Sequence, residues 1–448
     1  MALLAILDHD GISVAMGSER ASLTPGGLEV VAALTRPAGL DASGVAAIAD
    51  RWADDASALV DLGRSAGARP YESVNLPVWR ASSVLFDTLA ETRAAVAATA
   101  AGQHHAANYA TAGTPTTFAL ADAVGALEAA PHAVRVALVP SGLSAIATTL
   151  LAFLSPGDHL LMSDSVYGPA RLFARGMLAR LGVQTEFYDP CIGAGIEALL
   201  RPNTRLLYME SPGSYTFEIQ DVPALCAVAR RHGVPTCLDN AWASPRLARP
   251  FDWGVDLSVL PLTKYWSGHA DVLMGAIVVR DELWPRVHQA VRQQGLCVGG
   301  DDAWLILRGM RTLDVRMPAH EQHGLAVARW LAGRPEVARV LHPALESHPQ
   351  HALWQRDFCG ANGLFGFELK PASAAQVAAL CDRRRHFRLG FSWGGFESLI
   401  MPAHLADLRS ARPWDGGPLV RLHVGLEAPD TLIADLQAGF EAMAAVNE

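Results

Sequence analysis

The sequence predicts an α/β protein with a mainly parallel central sheet, followed by a smaller α+β domain. Between about residues 134 and 280, short apolar runs alternate with stretches of helical periodicity. The runs are continuous rather than polar at every second residue, as in strands covered on both faces. After about residue 300 the regularity gives way to helices mixed with isolated strands, the texture of an α+β unit. At 448 residues, half of them apolar, the chain is long enough for more than one core.

Taken in order, residues 1–55 read as an N-terminal extension or small accessory module. A strand is expected at 3–7, a helix start at Thr24-Pro25-Gly26-Gly27, and a second helix capped near Asp41-Ala42-Ser43-Gly44. Such a piece is expected to pack as an arm on the main body. Residues 60–115 are irregular, except for an Ala-rich helix at 88–101, and end in the polar loop Asn108-Tyr109-Ala110-Thr111-Ala112-Gly113. A short amphipathic helix follows at 118–128.

The alternation then predicts strands at 136–139, 160–162, 187–188, 205–209, 235–238, 255–260 and 276–279. Helices are expected between them at 141–154, 169–181 and 223–232. Beyond, a long helical region is expected from 302 to 331, an alternating strand at 364–369, a helix at 372–381, a Gly-rich turn at 391–396, a strand at 419–424 and a closing helix at 429–443.

Composition removes several classes of function. The net charge is −9, with mixed signs and no long basic run, which argues against nucleic acid as a partner. No run approaches the roughly 20 apolar residues of a membrane span. The first ten residues lack the basic start of a signal peptide. The six cysteines are scattered without ligand-like spacing, as in a reduced, cytoplasmic protein. The histidine pairs His104-His105 and His348/His351 have no Cys, His and carboxylate constellation around them, so no metal site is expected.

The candidate chemistry centres on Lys264, at the end of the apolar run 255–262 and before the turn Tyr265-Trp266-Ser267-Gly268. A lysine there is rarely buried without a partner or a task. Asp239 ends another run, and Ser141-Gly142-Leu143 opens a helix. Each has an ordinary reading on its own: a surface lysine, a turn aspartate, an N-cap serine. All three, however, fall at the carboxyl ends of predicted strands, where such sheets bind ligands.

An amine, an anion and free backbone N–H groups together suit pyridoxal phosphate (PLP). The amine forms the Schiff base, the anion meets the pyridinium nitrogen, and the N–H groups take the phosphate. Tyr167 follows a strand and reads equally as a ring-stacking or a core residue. Arg421 is a charge inside an apolar strand and needs a carboxylate, internal or from a substrate.

With these residues in hand, the chain resembles the Cys/Met-metabolism family of PLP enzymes, and within it the bacterial cystathionine β-lyases. The resemblance covers about residues 60–446. It rests on Ser141-Gly142-Leu143, Glu210-Ser211-Pro212-Gly213-Ser214, Leu238-Asp239-Asn240-Ala241-Trp242, Thr263-Lys264-Tyr265 with Gly268-His269-Ala270-Asp271, Ser392-Trp393-Gly394-Gly395-Phe396-Glu397, and Arg421-Leu422-His423-Val424-Gly425.

It implies the PLP-dependent aminotransferase-like fold (fold type I). The domains would be an arm at 56–115 reaching a neighbouring subunit, a PLP-binding domain at 116–309 and a C-terminal domain at 310–448. Lys264 would be the Schiff-base lysine and proton shuttle, with Asp239 on the pyridinium and Tyr167 stacked on the ring. Ser141, Gly142, Leu143 and Thr263 would hold the phosphate. Arg421, helped by Ser392, would bind the carboxylate of an amino-acid substrate, and Trp393 is like the β-acting members.

It also implies a homotetramer or dimer in which Tyr109 enters a neighbour's site. The activity implied is carbon–sulfur β-elimination on a cysteine thioether or S-conjugate. The alternatives are γ-elimination or γ-replacement on a homoserine derivative, or a PLP-binding regulator or docking protein. Three departures point to a specialised member, in secondary metabolism. Thr111 stands where the family commonly has an arginine, Pro261 stands where many members have a serine, and the first 55 residues are atypical.

Overall fold

The computed structural model describes residues 74–405 and 407–446, with the short segments 16–17 and 20–21. The chain divides into two units, Met1–Leu62 and Gly63–Glu448. In the first, Met16–Gly17 pairs antiparallel with Arg20–Ala21. The strand and two helices expected before residue 60 lie outside the described residues.

The second unit carries a seven-stranded sheet built from β1 (Val134–Val139), β2 (His159–Ser163), β3 (Gln184–Tyr188), β4 (Thr204–Glu210), β5 (Thr236–Asp239), β6 (Leu257–Pro261) and β7 (Gly275–Arg280). Their order is β1-β7-β6-β5-β4-β2-β3. All neighbours are parallel except β7, which runs antiparallel to both β1 and β6.

The continuous apolar runs have the cause the sequence implied. Leu160, Met162, Leu206 and Tyr208 face a core shared with Ile146, Leu150 and Phe153 of helix α1 (Gly142–Phe153). Leu161, Leu207 and Met209, one residue out of phase, face a second core with Leu225 and Val228 of α2 (Val222–Arg231). Both faces are covered, so no position along these strands needs to be polar.

The second sheet, of five strands, runs β8 (Val337–Leu341), β9 (Leu364–Leu369), β12 (Leu419–His423), β11 (Leu399–Ala403) and β10 (Arg388–Leu389). Its core is shared with the closing helix Pro429–Ala444 through Leu432, Leu436 and Phe440.

Several expectations are corrected here. The long helix expected from 302 is two, Gly300–Met310 and Leu313–Ala332. Arg316 Nη2 donates to the carbonyls of Gly309 and Tyr265, and Thr312 Oγ donates to Gly309, so side chains take up the carbonyl at the break. β9 is buried at every position rather than at alternate ones; its Gly366 packs against Tyr215 and Phe217 of the larger sheet's connections. Elements that went unread include β8, β10, β11 and the helices Trp284–Gln293 and His351–Asp357. Pro402 argues against a strand by sequence, yet β10 pairs only with Leu399 and Ile400, which leaves the edge beside Pro402 open.

Asp164 ties the two sheets' loops together. Fully buried, it accepts from Arg171 at 2.8 Å and from the backbone N–H groups of Ser410, Ala411 and Arg412 at 2.9–3.0 Å.

Candidate active site

Lys264 follows β6, and its Nζ donates to Ser392 Oγ at 2.6 Å. The same ammonium lies 5.1 Å from the centre of the Trp393 ring. Burial first, then the Arg421 charge, bring its pKa down to about 8, against Asp239, which raises it. A larger share of neutral amine is thus present near neutrality than on a free lysine.

The Ser392–Gly394 turn comes from the second sheet's loops, and backbone shape seats it. Ser392 has φ 73° and Gly394 φ 88°. A Cβ on Gly394 would stand 2.8 Å from the Tyr265 nitrogen and 2.9 Å from the Lys264 carbonyl carbon. Only glycine lets the two backbones meet this closely. Behind the turn, His423 Nε2 lies 3.1 Å from both Gly394 N–H and Gly395 O. Burial holds the imidazole neutral, with a pKa of about 3.

Asp239 ends β5, one strand from Lys264's. Its carboxylate accepts from Ala241 N–H at 3.1 Å and from the Tyr208 hydroxyl at 3.3 Å. Burial nonetheless raises its pKa to about 6. A carboxylate so placed lacks a strong cationic donor.

The Ser141 turn lies against the ends of β6 and β7. A Cβ on Gly142 would meet Pro261 at 2.8 Å, so Pro261, which departs from the resemblance, forms part of the wall. Ser141 Oγ caps Ser144 N–H at 3.1 Å. Gly142 and Leu143 start the helix, where N–H groups have no intrahelical acceptor. Thr263 Oγ accepts from Met274 N–H at 3.0 Å, which fixes it at the head of β7.

Tyr167 caps the short helix Gly168–Phe173 and leaves its ring half exposed. Its pKa is raised by burial, then by Tyr215, Asp239 and Glu210, with Arg421 opposing; the ring therefore shares one electrostatic environment with those groups. Arg421 is 8 % exposed on β12. Its Nη2 donates to the carbonyls of Gly390 and Ser392, both at 3.2 Å. Its buried Nε has no hydrogen-bond partner.

One expected residue is not brought here within the chain. Tyr109 forms a bridge with Ser83 and lines, with Thr111, a separate cavity of about 680 Å³. His104 and His105, which line that cavity too, each place Nε2 2.8 Å from an oxygen of Asp122. The sequence reading set that pair aside for want of a carboxylate; the helix Pro115–Ala129 supplies one.

Two residues were missed. Glu210 ends β4 in register with Asp239, and its carboxylate accepts from Tyr167 N–H at 2.6 Å and Ser214 Oγ at 2.5 Å. Tyr215, with φ 66°, lies 5.7 Å from the Arg421 guanidinium. The Glu210-Ser211-Pro212-Gly213-Ser214 run was the available signal, a carboxylate at a third strand's carboxyl end.

The donor set fits PLP at all but one place. The buried carboxylate suits a pyridinium N–H, the free N–H groups at the start of α1 suit an anion, and Lys264 has a softened amine. Among the described residues, the hydrogen bonds at the Ser141 turn involve no cation, in keeping with Thr111.

The family described as Cys/Met metabolism PLP-dependent enzyme matches residues 56–441. A relative from Rhizobium johnstonii is 48 % identical over 379 residues, 83 % of this chain and 92 % of its own. The cystathionine beta-lyase of Escherichia coli is 42 % identical over 392 residues, 85 % of this chain and 97 % of its own. Among solved structures, the cystathionine gamma synthase of Xanthomonas oryzae superposes with a TM-score of 0.77 at 32 % identity, covering 87 % of this chain and 98 % of that one. With the family match spanning most of the chain and the sheet order, strand-end lysine and strand-end carboxylate in place, the chain belongs to the Cys/Met metabolism family of PLP-dependent enzymes.

Proposed function

We propose that this enzyme is a carbon–sulfur β-lyase. It cleaves a cysteine-derived thioether or S-conjugate to a thiol or persulfide, pyruvate and ammonia. The observation that carries the reading is Lys264 Nζ, held 2.6 Å from Ser392 Oγ and against the Trp393 ring, with Arg421 supporting the same turn.

Bound PLP would supply the electron sink that makes the substrate's Cα–H acidic. Lys264 would be its attachment point, Asp239 the partner of its ring nitrogen, and Tyr167 the ring beside it. Gly142, Leu143, Ser141 and Thr263 would take the phosphate.

The other steps belong to the chain's own groups. Arg421 binds the substrate carboxylate through its unpartnered Nε. Ser392 orients the Lys264 amine toward Cα. The neutral amine takes the Cα proton, and the ammonium so formed is the proton source for the departing sulfur. Trp393 and the backbone of Gly394 keep water from the reacting face.

In the same reading residues 56–115 form an arm, and its Tyr109–Thr111 turn completes a neighbour's site in a homotetramer or dimer. The exposed Leu85, Leu89 and Tyr109 support this. Residues 116–309 carry the cofactor and 310–448 the carboxylate-binding side, with 1–55 an accessory piece. Among the described residues no helix is long and apolar enough to cross a membrane, and all six cysteines are free; both accord with a cytoplasmic place.

The likeness to the Xanthomonas synthase favours, as second reading, γ-chemistry on a homoserine derivative. Incubating the holoenzyme with cystathionine, cysteine, S-alkyl cysteines and O-acylated homoserine separates the two. Pyruvate from the cysteine derivatives is expected. 2-Oxobutyrate from the homoserine derivative, without pyruvate from the others, would sink the β-lyase reading.

A further inference from the structure

Glu210 is a buried acid that the reaction above does not use. It is 6 % exposed, and Asp239, its register partner on the adjacent parallel strand, is 5 % exposed. Paired strands lie about 4.8 Å apart, and register partners project to the same face. Tyr208, two residues before Glu210 on that face, already reaches Asp239 with its hydroxyl. Two carboxyl groups this close, out of water, do not both ionise.

Their neighbours decide which one carries the charge. Asp239 accepts from Ala241 N–H and the Tyr208 hydroxyl and is attracted by Lys264. Glu210 meets the main chain of Tyr167 and Ser214 and the Ser214 hydroxyl, and that hydroxyl can accept a proton as readily as give one.

Resting on the proposed roles of Tyr167 and Asp239, we propose that Glu210 is a positioning residue acting as an uncharged acid. It clasps the Tyr167 main chain and Ser214 to fix the Tyr167 ring, and it leaves the site's negative charge on Asp239. The direction of its titration agrees: burial, then Asp239, push the Glu210 carboxyl well above the usual range. The Tyr167 ring is only partly held by packing, being half exposed at the start of a six-residue helix without a side-chain cap. Its main-chain bond to Glu210 is therefore what sets where the ring begins. Ser214 is drawn to the same carboxyl, and its N–H donates to Ser165 O at 2.8 Å. The Tyr167 and Ser214 segments thus meet at one glutamate.

The test compares Glu210→Ala and Glu210→Gln in the PLP-loaded enzyme. It reads kcat, the circular dichroism of the cofactor's visible band, and PLP dissociation. Glu210→Ala is expected to lower kcat by about 10- to 100-fold, the scale of a small misplacement, and to change the dichroic band, which reports the orientation of the bound ring. Glu210→Gln, uncharged and of the same shape, is expected to recover most of both.

A Gln variant as impaired as the Ala variant, at equal thermal stability, would mean that an ionised carboxylate is needed and would overturn the proposal. An Ala variant with unchanged kcat and dichroism would overturn it as well. If Glu210→Ala fails to fold, the infrared difference between 13C-glutamate-labelled wild-type and Glu210→Gln holoenzymes decides, because the buried Glu128 carries a raised pKa as well and cancels in the difference. The carbonyl stretch of a protonated glutamic acid is expected at neutral pH, and its absence refutes the uncharged state. Parallel Tyr167→Ala and Asp239→Ala variants keep the two readings apart. If these leave PLP binding untouched, the parent reading has failed; if they disturb it while Glu210→Ala is silent, this one alone has failed.

Discussion

Replacing Arg421 with lysine keeps a positive charge on β12 and removes the guanidinium's planar fork. In the wild type one nitrogen, Nη2, is occupied by the Gly390 and Ser392 carbonyls, while the buried Nε has no protein partner. A substrate carboxylate bound at Nε would take a charge-assisted hydrogen bond worth about 1.5–3 kcal/mol. Lysine offers a point charge and cannot serve both the loop and the substrate. At about 1.4 kcal/mol per tenfold, the expected loss in kcat/KM is about 10- to 150-fold. It should fall mainly on KM, because the carboxylate is held alike before and during the reaction.

The assay is pyruvate release from cystathionine, followed by reduction to lactate. The visible cofactor band is recorded alongside, because Arg421 also steadies the Ser392 carbonyl. An unchanged band with a raised KM is the predicted pair. A loss under about threefold would refute the assignment of Arg421 as the carboxylate site. So would a loss carried by kcat together with an altered band, which would make Arg421 only a support for the loop.

Four further outcomes are expected. In the apoprotein, reaction of the Lys264 amine with trinitrobenzenesulfonate should rise through a pH of about 8, and Arg421→Met should move that midpoint upward, since the Arg421 charge helps to depress it; a midpoint that stays near that of a free lysine would contradict the burial described. Asp239→Asn should lower kcat by roughly 100- to 1,000-fold, the scale for removing one preorganised charge partner, as measured by steady-state pyruvate formation.

Thr111→Arg should tighten PLP, read by equilibrium dialysis, if that turn meets a neighbour's phosphate; unchanged affinity would remove the turn from the site. Glu128 is 1 % exposed, and burial raises its pKa to about 8 despite hydrogen bonds from Ser258 and Asn240. Because the folded pKa lies above the unfolded one, wild-type stability falls as pH rises from about 4.5 towards 8. Glu128→Gln should therefore be the more stable by about 1–3 kcal/mol at pH 8, a gain that vanishes near pH 4 in thermal melts.

The strand ends were legible because burial on both faces writes a strand as an unbroken apolar run, and the first polar residue after it stands at the ligand edge. Lys264, Asp239 and Ser141 could be found that way, and Arg421 as a charge where the run should have continued. Ser392 reaches Lys264 across 128 residues, and nothing local to either residue encodes how the second sheet's turn docks. It was reached through a resemblance rather than through periodicity. Glu210 stayed hidden because its meaning depends on the β4–β5 register. The break at Arg311-Thr312 was unreadable because the residues there are compatible with helix; a distant partner, the Tyr265 carbonyl, helps to hold Arg316 at the interruption. Tyr109 was read from resemblance alone, and within one chain it bridges to Ser83, with the next residue, Ala110, donating its N–H to Ser82 O.

The seat of Gly394 against Lys264 and Tyr265 has a mechanical consequence. The amine rides on one sheet and Arg421 on the other, yet main chain touches main chain between them, and the buried Asp164 bonds bolt the same halves together nearby. A hinge that opened the chamber would have to part backbones and leave a buried carboxylate without its donors. The spacing between amine and arginine is therefore a preset gauge rather than a jaw that closes on its cargo. With Arg421 and Lys264 in their proposed roles, a substrate would be measured by the fixed distance from its carboxylate to its Cα–H. The sulfur-bearing remainder extends from that gauge, so engineering for new leaving groups should alter the approach and leave the Gly394 seat untouched.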